Sequence, residues 1–377
     1  MRKIIIEAYM IRLLLLTLIS ALLISCSLNK PKLAMTEDEI YREFDKRLTI
    51  EEKEIVEVPF VIPDSLINML RNETTYMSTT QKLDHIMYTL VNNNRLDLQY
   101  RDNCTYTASE LITEKYGNCI ALSHLMIGIT RKLNIPSHYV YILRNPTFSI
   151  FNNTISFHYH VLVGIEDGTE RRYYDFQPGY NKHFLSLYGV SDLEGIALHY
   201  NNLGAEFIKD GNNSDAGIYM SIAHKLAPKN PEILSNYGLL FSRMGQNSKA
   251  RTYFQRALEI DETCIPAWHN MLYLTIKEND NQRFQKIWKD LKSINSPTIK
   301  ILLANMAYRE GEYENVLNHL DRVNPEMTKL FIVYLLRAQA YYKLGEFEYA
   351  NKYLQQFEKI EPDNLQAAFL RRELNKQ

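Results

Sequence analysis

The segment YGNCIALSHLMIGITRKL, at residues 116–133, indicates the fold of the N-terminal half. Its apolar residues recur at helical spacing and form one stripe: Leu122, Leu125, Met126, Ile129 and Leu133. Asn118 is a favourable N-cap, so Cys119 lies in the first turn of the predicted helix. The free N–H groups of a helix N-terminus favour a thiolate there. Cys119 is therefore a candidate nucleophile, although a small buried apolar residue is the alternative interpretation.

After Pro136 the pattern changes to alternation, which predicts strands at residues 137–143, 148–151, 156–165 and 170–176. Asp167-Gly168 joins the last two and predicts a hairpin with a two-residue turn. In that register His160 directly faces Asp175, close enough for the carboxylate to orient the imidazole. His158 shares the face but is opposite Gln177, and a three-residue turn would shift the register by one. His158 therefore remains a possible base.

A thiol, an imidazole and a carboxylate in this arrangement suit nucleophilic thiol chemistry. The imidazole takes the thiol proton, the carboxylate fixes the imidazole, and backbone N–H groups at the helix end stabilise an oxyanion. Taken singly, His160 has a simpler interpretation as a solvated strand residue and Asp175 as a turn cap. Taken together, Cys119, His160 and Asp175 form a candidate catalytic triad.

Four segments resemble the bacterial transglutaminase-like superfamily, whose papain-like domains use Cys, His and Asp. The segments are YGNCIALS (116–123), LNIPS (133–137), HVLV (160–163) and YDFQP (174–178). The resemblance covers roughly residues 78–180 and implies that Cys119 is the nucleophile, His160 the base and acid, and Asp175 the orienting carboxylate. It leaves the backbone N–H of Cys119 as the only oxyanion donor that can be named. Asn134 departs from the usual Gly, and Val161 follows the His where many members have Ala-Trp.

The second half of the chain is periodic. Small residues recur at positions 8, 20 and 27 of a 34-residue unit that begins at Ala197. They are Gly204, Ala216 and Ala223 in the first unit and Gly238, Ala250 and Ala257 in the second. A degenerate third unit, a fourth and a clear fifth follow. The pattern resembles tetratricopeptide repeats, which implies an all-α solenoid with a concave surface for a peptide or protein ligand. Trp268, His269 and Trp288 are candidates for that surface, although solenoid core or rim is their simpler interpretation.

The N-terminus reads as a secretion signal. Arg12 precedes an apolar run over residues 13–24, which ends in the sequence LISC at residues 23–26. This ending resembles the bacterial lipobox, which implies that Cys26 is acylated and anchors the protein to a membrane. An ordinary signal peptide or a signal anchor is the alternative. Ser27 after the Cys resembles outer-membrane sorting, so we expect a lipid-anchored protein at the outer membrane that faces the periplasm.

Charge and cysteine content narrow the function classes. The net charge of −1 lacks the basic excess of a nucleic-acid binder, so no nucleic-acid partner is expected. No Asp/Asn-rich loop has calcium-site spacing, and we expect neither a metal nor a cofactor. With Cys26 acylated, three cysteines remain: Cys104, Cys119 and Cys264. A disulfide between Cys104 and Cys264 stays open.

The predicted fold class is an α+β transglutaminase-like (papain-like) domain followed by an all-α tetratricopeptide-repeat solenoid. The predicted segments are a signal peptide (1–25), a tether with a first helix (26–60), the α+β domain (61–190), about five repeats (191–364) and a capping helix (365–377). The expected function is attack on peptide or protein amide bonds, by hydrolysis or acyl transfer through a cysteine thioester, with the repeats recruiting substrate or partner. The alternative is an inactive assembly lipoprotein that uses the repeats as a scaffold.

Overall fold

The computed structural model describes residues 33–151, 154–167, 170–176, 187–323, 331–360, 362 and 364–376. The predicted signal segment and Cys26 lie outside these ranges. Within them, no helix has both the length and the apolar character that a membrane crossing requires.

The N-terminal part begins with short helices that have strong local start signals. They are α1 (Glu37–Arg47), α2 (Ile50–Lys53), α3 (Asp64–Glu73), α4 (Thr79–Val91), α5 (Ala108–Glu114) and α6 (Cys119–Lys132). Thr36, Thr49, Ser78 and Thr107 each form a capping box with the residue three positions later. Because each box satisfies two backbone N–H groups, α1, α2, α4 and α5 start where the local sequence dictates.

The strands form two sheets among the described residues. In the smaller one, β1 (Gln99–Tyr100) pairs in parallel with β2 (Tyr116–Gly117). The larger sheet is antiparallel, with the order β5-β4-β3-β6. Its strands are β3 (Ser137–Phe151), β4 (Thr154–Asp167), β5 (Glu170–Tyr174) and β6 (Leu187–Val190). The two separate strands predicted between residues 137 and 151 are wrong: they are one strand, whose pairing with β4 shifts between Ile142 and Thr147.

The predicted hairpin register is also wrong, by two residues. Asp167 pairs with Glu170 and Glu166 pairs with Arg171, so Asp167 belongs to the ladder and not to the turn. This register brings opposite charges together across the strands, with Arg171 Nε 3.3 Å from Glu166 Oε1, where the predicted register opposes Glu166 to Thr169. His160 and Asp175 therefore are not directly opposed, and Asp175 follows the last residue of β5. A shift of two keeps every side chain on its face, so both still lie on the same side.

Helix α6 is the centre of the N-terminal part. Its residues 120–130 are all buried, and it contacts β3, β4 and the first helix of the second half. Gly128 lets α6 lie close to the segment that precedes α3, because a β-carbon there would lie 2.3 Å from the carbonyl oxygen of Phe60. A helix buried on nearly all sides holds its N-terminal residue in a fixed position.

The second half is a series of helices that we call the array. Its members are α7 (Asp192–Lys209), α8 (Asn213–Leu226), α9 (Pro231–Arg243), α10 (Asn247–Ile260), α11 (Ile265–Lys277), α12 (Asn281–Ser293), α13 (Pro297–Glu310), α14 (Tyr313–Asp321), α15 (Phe331–Lys343), α16 (Phe347–Glu358) and α17 (Leu365–Leu374). Glycines allow paired helices to approach: a β-carbon at Gly204 would lie 2.8 Å from Met220, and one at Gly238 would lie 2.6 Å from Phe254. These glycines occupy position 8 of the counted repeat.

The two halves share one hydrophobic core. Buried apolar residues run without interruption from α1 through α6 and the antiparallel sheet into α7, α8 and α9. Helices α1 and α2 also contact the array, since Arg47 donates to the carbonyl oxygen of Leu226 at 3.1 Å and Glu52 pairs with Lys225 at 2.7 Å. The beginning of the array is therefore packed against the N-terminal part and is not tethered by a linker.

Candidate active site

Cys119 is the first residue of α6, as the capping pattern predicts. The side-chain oxygen of Asn118 accepts a hydrogen bond from the backbone N–H of Ala121 at 3.1 Å. Immediately before it, Gly117 packs closely against its neighbours, because a β-carbon there would be 2.8 Å from Leu111 Cδ1 and would force that side chain to move. The Gly-x-Cys pattern thus has a packing cause at this site. It brings the chain through β2 directly into the helix start.

His160 and Asp175 meet beside this helix start. His160 is 2% exposed, and its Nε2 lies 2.5 Å from Oδ1 of Asp175. Cys119 lies close enough to the imidazole to act on the pKa of His160. Since Nε2 is engaged by Asp175, Nδ1 is the nitrogen left for the thiol. The structure therefore brings the three residues of the predicted triad together, in the order thiol, imidazole, carboxylate.

The electrostatics of the site favour a charged imidazole. Burial by itself lowers the pKa of His160, but the hydrogen bond to Asp175 and the interactions with Cys119 and with the Asp175 charge raise it to about 9. The imidazole is then protonated near neutral pH, beside the sulfur of Cys119. It holds a proton ready for a leaving group.

Tyr100 is a neighbour of the site to which the sequence patterns assign no role. Pairing of β1 with β2 places Tyr100 beside Gly117, and its hydroxyl donates to Asp102 Oδ1 at 2.7 Å. Burial, and then the charges of Cys119 and Asp102, hold the pKa of Tyr100 far above its usual value. The phenol therefore stays a hydrogen-bond donor at the edge of the thiol site. Only its position in a two-residue strand reveals it, and no periodicity signals so short a strand.

The remaining predicted residues lie elsewhere. His158 pairs with Thr147 in the sheet, and its side chain lies outside the described part of the structure. Within that part no disulfide occurs, and Cys104 and Cys264 are thiols. Cys264 is fully buried at the start of α11. The backbone N–H of Cys119 has no partner within its own helix, as for any first helical residue.

Two positions predicted as possible ligand contacts in the array have packing roles. Trp268 is 8% exposed, and its indole N–H donates to the carbonyl oxygen of Glu262 at 2.8 Å. Trp288 stacks on Phe284. Among the described ranges, no group of three or more His, Cys, Asp or Glu side chains is arranged to hold a metal ion.

Comparison with protein families matches both halves of the chain. Residues 68–178 match the transglutaminase-like superfamily. Residues 231–264 match a tetratricopeptide repeat, and residues 332–377 match the Fis1 C-terminal tetratricopeptide repeat. No curated protein is similar enough to the chain to count as a match.

Solved structures resemble the chain over about half its length. PilW, a widely conserved type IV pilus biogenesis factor, is 19% identical with a TM-score of 0.33, over 48% of this chain and 87% of PilW. A tetratricopeptide-repeat protein from Parabacteroides merdae is 20% identical with a TM-score of 0.34, over 48% of this chain and 71% of that one. YrrB, a repeat protein with an unusual peptide-binding site, is 14% identical with a TM-score of 0.29, over 47% of this chain and 92% of YrrB.

The family matches confirm the predicted fold class. The matched ranges contain all three triad residues in the first half and helices of the array in the second. The chain therefore consists of a transglutaminase-like domain at the N-terminal side, followed by a helical tetratricopeptide-repeat array.

Proposed function

We propose that this protein is a lipid-anchored envelope protein whose transglutaminase-like domain attacks peptide or protein amide bonds through a thioester on Cys119. The observation that carries the proposal is the contact between His160 Nε2 and Asp175 Oδ1 at 2.5 Å, with Cys119 close enough to act on the same imidazole. A carboxylate, an imidazole and a thiol in series are the parts that nucleophilic thiol catalysis requires.

The chemistry proceeds in two halves. The Cys119 sulfur attacks the amide carbonyl carbon, and the tetrahedral oxyanion is stabilised by the backbone N–H of Cys119. His160 passes the former thiol proton to the leaving amine, and collapse of the intermediate yields a thioester. In the second half His160 takes a proton from water as the water oxygen attacks the thioester carbon. The C–S bond then breaks, which frees a carboxylic acid and returns the Cys119 sulfur as a thiolate beside the protonated His160. An amine in place of water gives acyl transfer instead.

The repeat array has the role of recruiting the substrate or a partner. Tetratricopeptide arrays present extended concave surfaces on which peptides or proteins bind. Shared packing of α6 with α7 supports this role, because it holds the array against the domain that carries the thiol. A bound chain then remains near Cys119 during reaction.

Thiol reactivity provides the decisive experiment. We expect iodoacetamide at pH 7 to alkylate Cys119 faster than Cys104 or Cys264, as followed residue by residue with mass spectrometry. His160→Ala should slow the alkylation of Cys119 by about tenfold or more, because the thiolate loses its partner. His85→Ala is the matched control, since His85 also bonds a carboxylate, Glu73 at 2.7 Å, but is not part of the triad.

Equal alkylation of all three cysteines, or equal effects of the two histidine variants, would favour the alternative of an inactive scaffold lipoprotein. A Cys119→Ala variant, expressed in the bacterial envelope, then allows the substrate to be identified, because it binds the substrate without reacting with it. Peptides that it retains and the unaltered protein releases in cleaved form identify a hydrolase, and cross-linked products identify an acyltransferase.

The membrane anchor is proposed from Cys26 and the preceding apolar run. Acylation of Cys26 predicts that the mature protein partitions with membranes and carries the added mass of its acyl chains. A Cys26→Ala variant that stays membrane-bound with the same mass would contradict the anchor. Fractionation of the two membranes checks the proposed outer-membrane location.

A further inference from the structure

A chain of hydrogen bonds connects the array to the residue before Cys119. Glu206 lies on α7, and its Oε1 accepts from the hydroxyl of Thr105 at 2.7 Å. The oxygen of that hydroxyl accepts from Nδ2 of Asn118 at 2.8 Å. Asn118 in turn caps α6, with its Oδ1 on the N–H of Ala121. Glu206 and Asn118 are far apart in sequence and are brought together only by packing of the two halves.

The direction of each hydrogen bond in this chain depends on the previous one. A carboxylate oxygen only accepts, so the Thr105 hydroxyl must donate to Glu206 and offers its lone pairs to the Asn118 NH₂ group. The amide NH₂ group then points to Thr105, and the amide oxygen is left to cap the helix. Thr105 is 4% exposed and Asn118 is 7% exposed, so solvent has little access to either side chain. Glu206 thus selects the amide orientation that makes Asn118 an N-cap.

The cap is adjacent to the reactive residue. Asn118 is also held through its backbone, since its N–H donates to the carbonyl oxygen of Cys104 at 3.0 Å. A cap of fixed orientation determines how the chain enters the helix, and Cys119 is the first residue to follow. The same hydrogen bonds therefore set the direction in which the Cys119 side chain projects from the backbone.

We propose that Glu206 is a positioning residue for Cys119, acting through Thr105 and Asn118. The proposal rests on the proposed function in so far as it treats Cys119 as a reactive thiol. It makes the first helix of the array part of the thiol site. A domain boundary near residue 190 would separate Glu206 from the residues that it positions, so the transglutaminase-like domain is complete only with α7.

The chain offers a matched control on the same helix. Glu194 on α7 accepts a hydrogen bond from Nδ2 of Asn230 at 3.0 Å, and Asn230 caps α9. Glu194 thus orients an asparagine cap in the same manner, but at a helix without the thiol. Removal of either carboxylate weakens one N-cap. Only the cap that Glu206 supports lies next to Cys119, so only removal of Glu206 affects the thiol.

The test measures alkylation of Cys119 by iodoacetamide between pH 6 and 9 in the full-length protein. We expect Glu206→Ala to slow the reaction about fivefold at pH 7 and to move the rise of the pH–rate profile to higher pH. Glu206→Gln should restore the rate to within about twofold, because its amide oxygen still accepts from Thr105. Glu194→Ala should leave both the rate and the profile unchanged. Thermal unfolding of all three variants checks that they are folded.

The possible failures are distinguishable. If Cys119 in the unaltered protein reacts no faster than Cys104 and Cys264, the proposed function fails. Hydrogen exchange at the N–H of Ala121 then measures directly whether the Asn118 cap is intact. Faster exchange in Glu206→Ala supports the proposal. Unchanged exchange there, unchanged alkylation in Glu206→Ala, or equal slowing in Glu194→Ala overturns it.

Discussion

Burial and hydrogen bonding act on His160 in opposite directions. Burial alone would keep the imidazole neutral, whereas the contacts with Asp175 and Cys119 raise its pKa to about 9. Because this folded value exceeds the 6.5 of an unperturbed histidine, the pair stabilises the fold below pH 6.5. That contribution is lost as the pH rises through about 9. The carboxylate of Asp175 thus contributes to the protonation state of the site as well as to the orientation of the ring.

Replacement of Asp175 tests this balance. In Asp175→Asn we expect the pKa of His160 to fall from about 9 to near or below 6.5, because burial then acts against weaker opposition. An NMR titration of the imidazole measures the value directly. Asp102→Asn is the control, since Asp102 bonds Tyr100 and not His160. A pKa that stays near 9 in Asp175→Asn would show that another group holds the charge.

At the scale of elements, the joint between the sheet and the array depends on one glycine. Helix α7 crosses β3 so closely that a β-carbon at Gly195 would lie 2.5 Å from Cδ2 of the Tyr139 ring. The ring itself is fully buried, and its hydroxyl lies 2.6 Å from Nδ1 of His124 on α6. The Tyr139 ring therefore cannot move away from α7. Three elements, α6, α7 and β3, meet at this contact.

A pair of glycine substitutions isolates the contact. We expect Gly195→Ala to destabilise the protein by about 1–3 kcal/mol, because the new methyl group forces α7 away from Tyr139. Gly217→Ala, on α8 where no atom lies within 4 Å of the new carbon, should stabilise it by up to about 1 kcal/mol through helix propensity. Urea unfolding of both variants gives the comparison. Equal stability of the two variants would show that the helices are not in tight contact here.

At the scale of the whole molecule, two buried histidines lie where the halves meet. His124 on α6 and His199 on α7 are within 2% of full burial, with ring centroids 5.1 Å apart. His124 Nε2 and His199 Nδ1 have no hydrogen-bond partner among the described residues. Burial lowers the pKa of His199 to about 3 and that of His124 well below its usual value. Both rings are thus neutral in the fold and resist protonation.

This pair makes the joint sensitive to acid. The unfolded chain binds a proton at His199 below pH 6.5 and the folded chain does not, so folding stability falls as the pH drops through that value. Relative to His199→Phe, which keeps the ring volume, the unaltered protein should lose about 1.4 kcal/mol between pH 7.5 and 5.5. Glu232, whose pKa burial raises to about 7, shifts stability in the opposite sense but is common to both proteins. Urea unfolding at the two pH values measures the difference, and parallel losses would contradict the assignment.

Features that depend on a local pattern can be predicted from the amino-acid sequence alone. Helical spacing and the cap at Asn118 predicted α6 with Cys119 in its first turn, and a fixed repeat predicted the array. Alternation along the strands predicted that His160 and Asp175 share a side. That prediction survived a register shift of two residues, because side chains alternate with a period of two.

The other features depend on how distant parts of the chain pack. Cross-strand charge pairing at Glu166 and Arg171 accompanies the observed register, and sheet pairing of a two-residue strand places Tyr100 beside Gly117, two residues before Cys119. Glu206 acts on the cap of α6 through its hydrogen bond with Thr105. These two residues are 101 positions apart in the sequence, so no local spacing predicts the bond. Periodicity reports which face of an element is buried, whereas contacts between distant side chains depend on how whole elements pack.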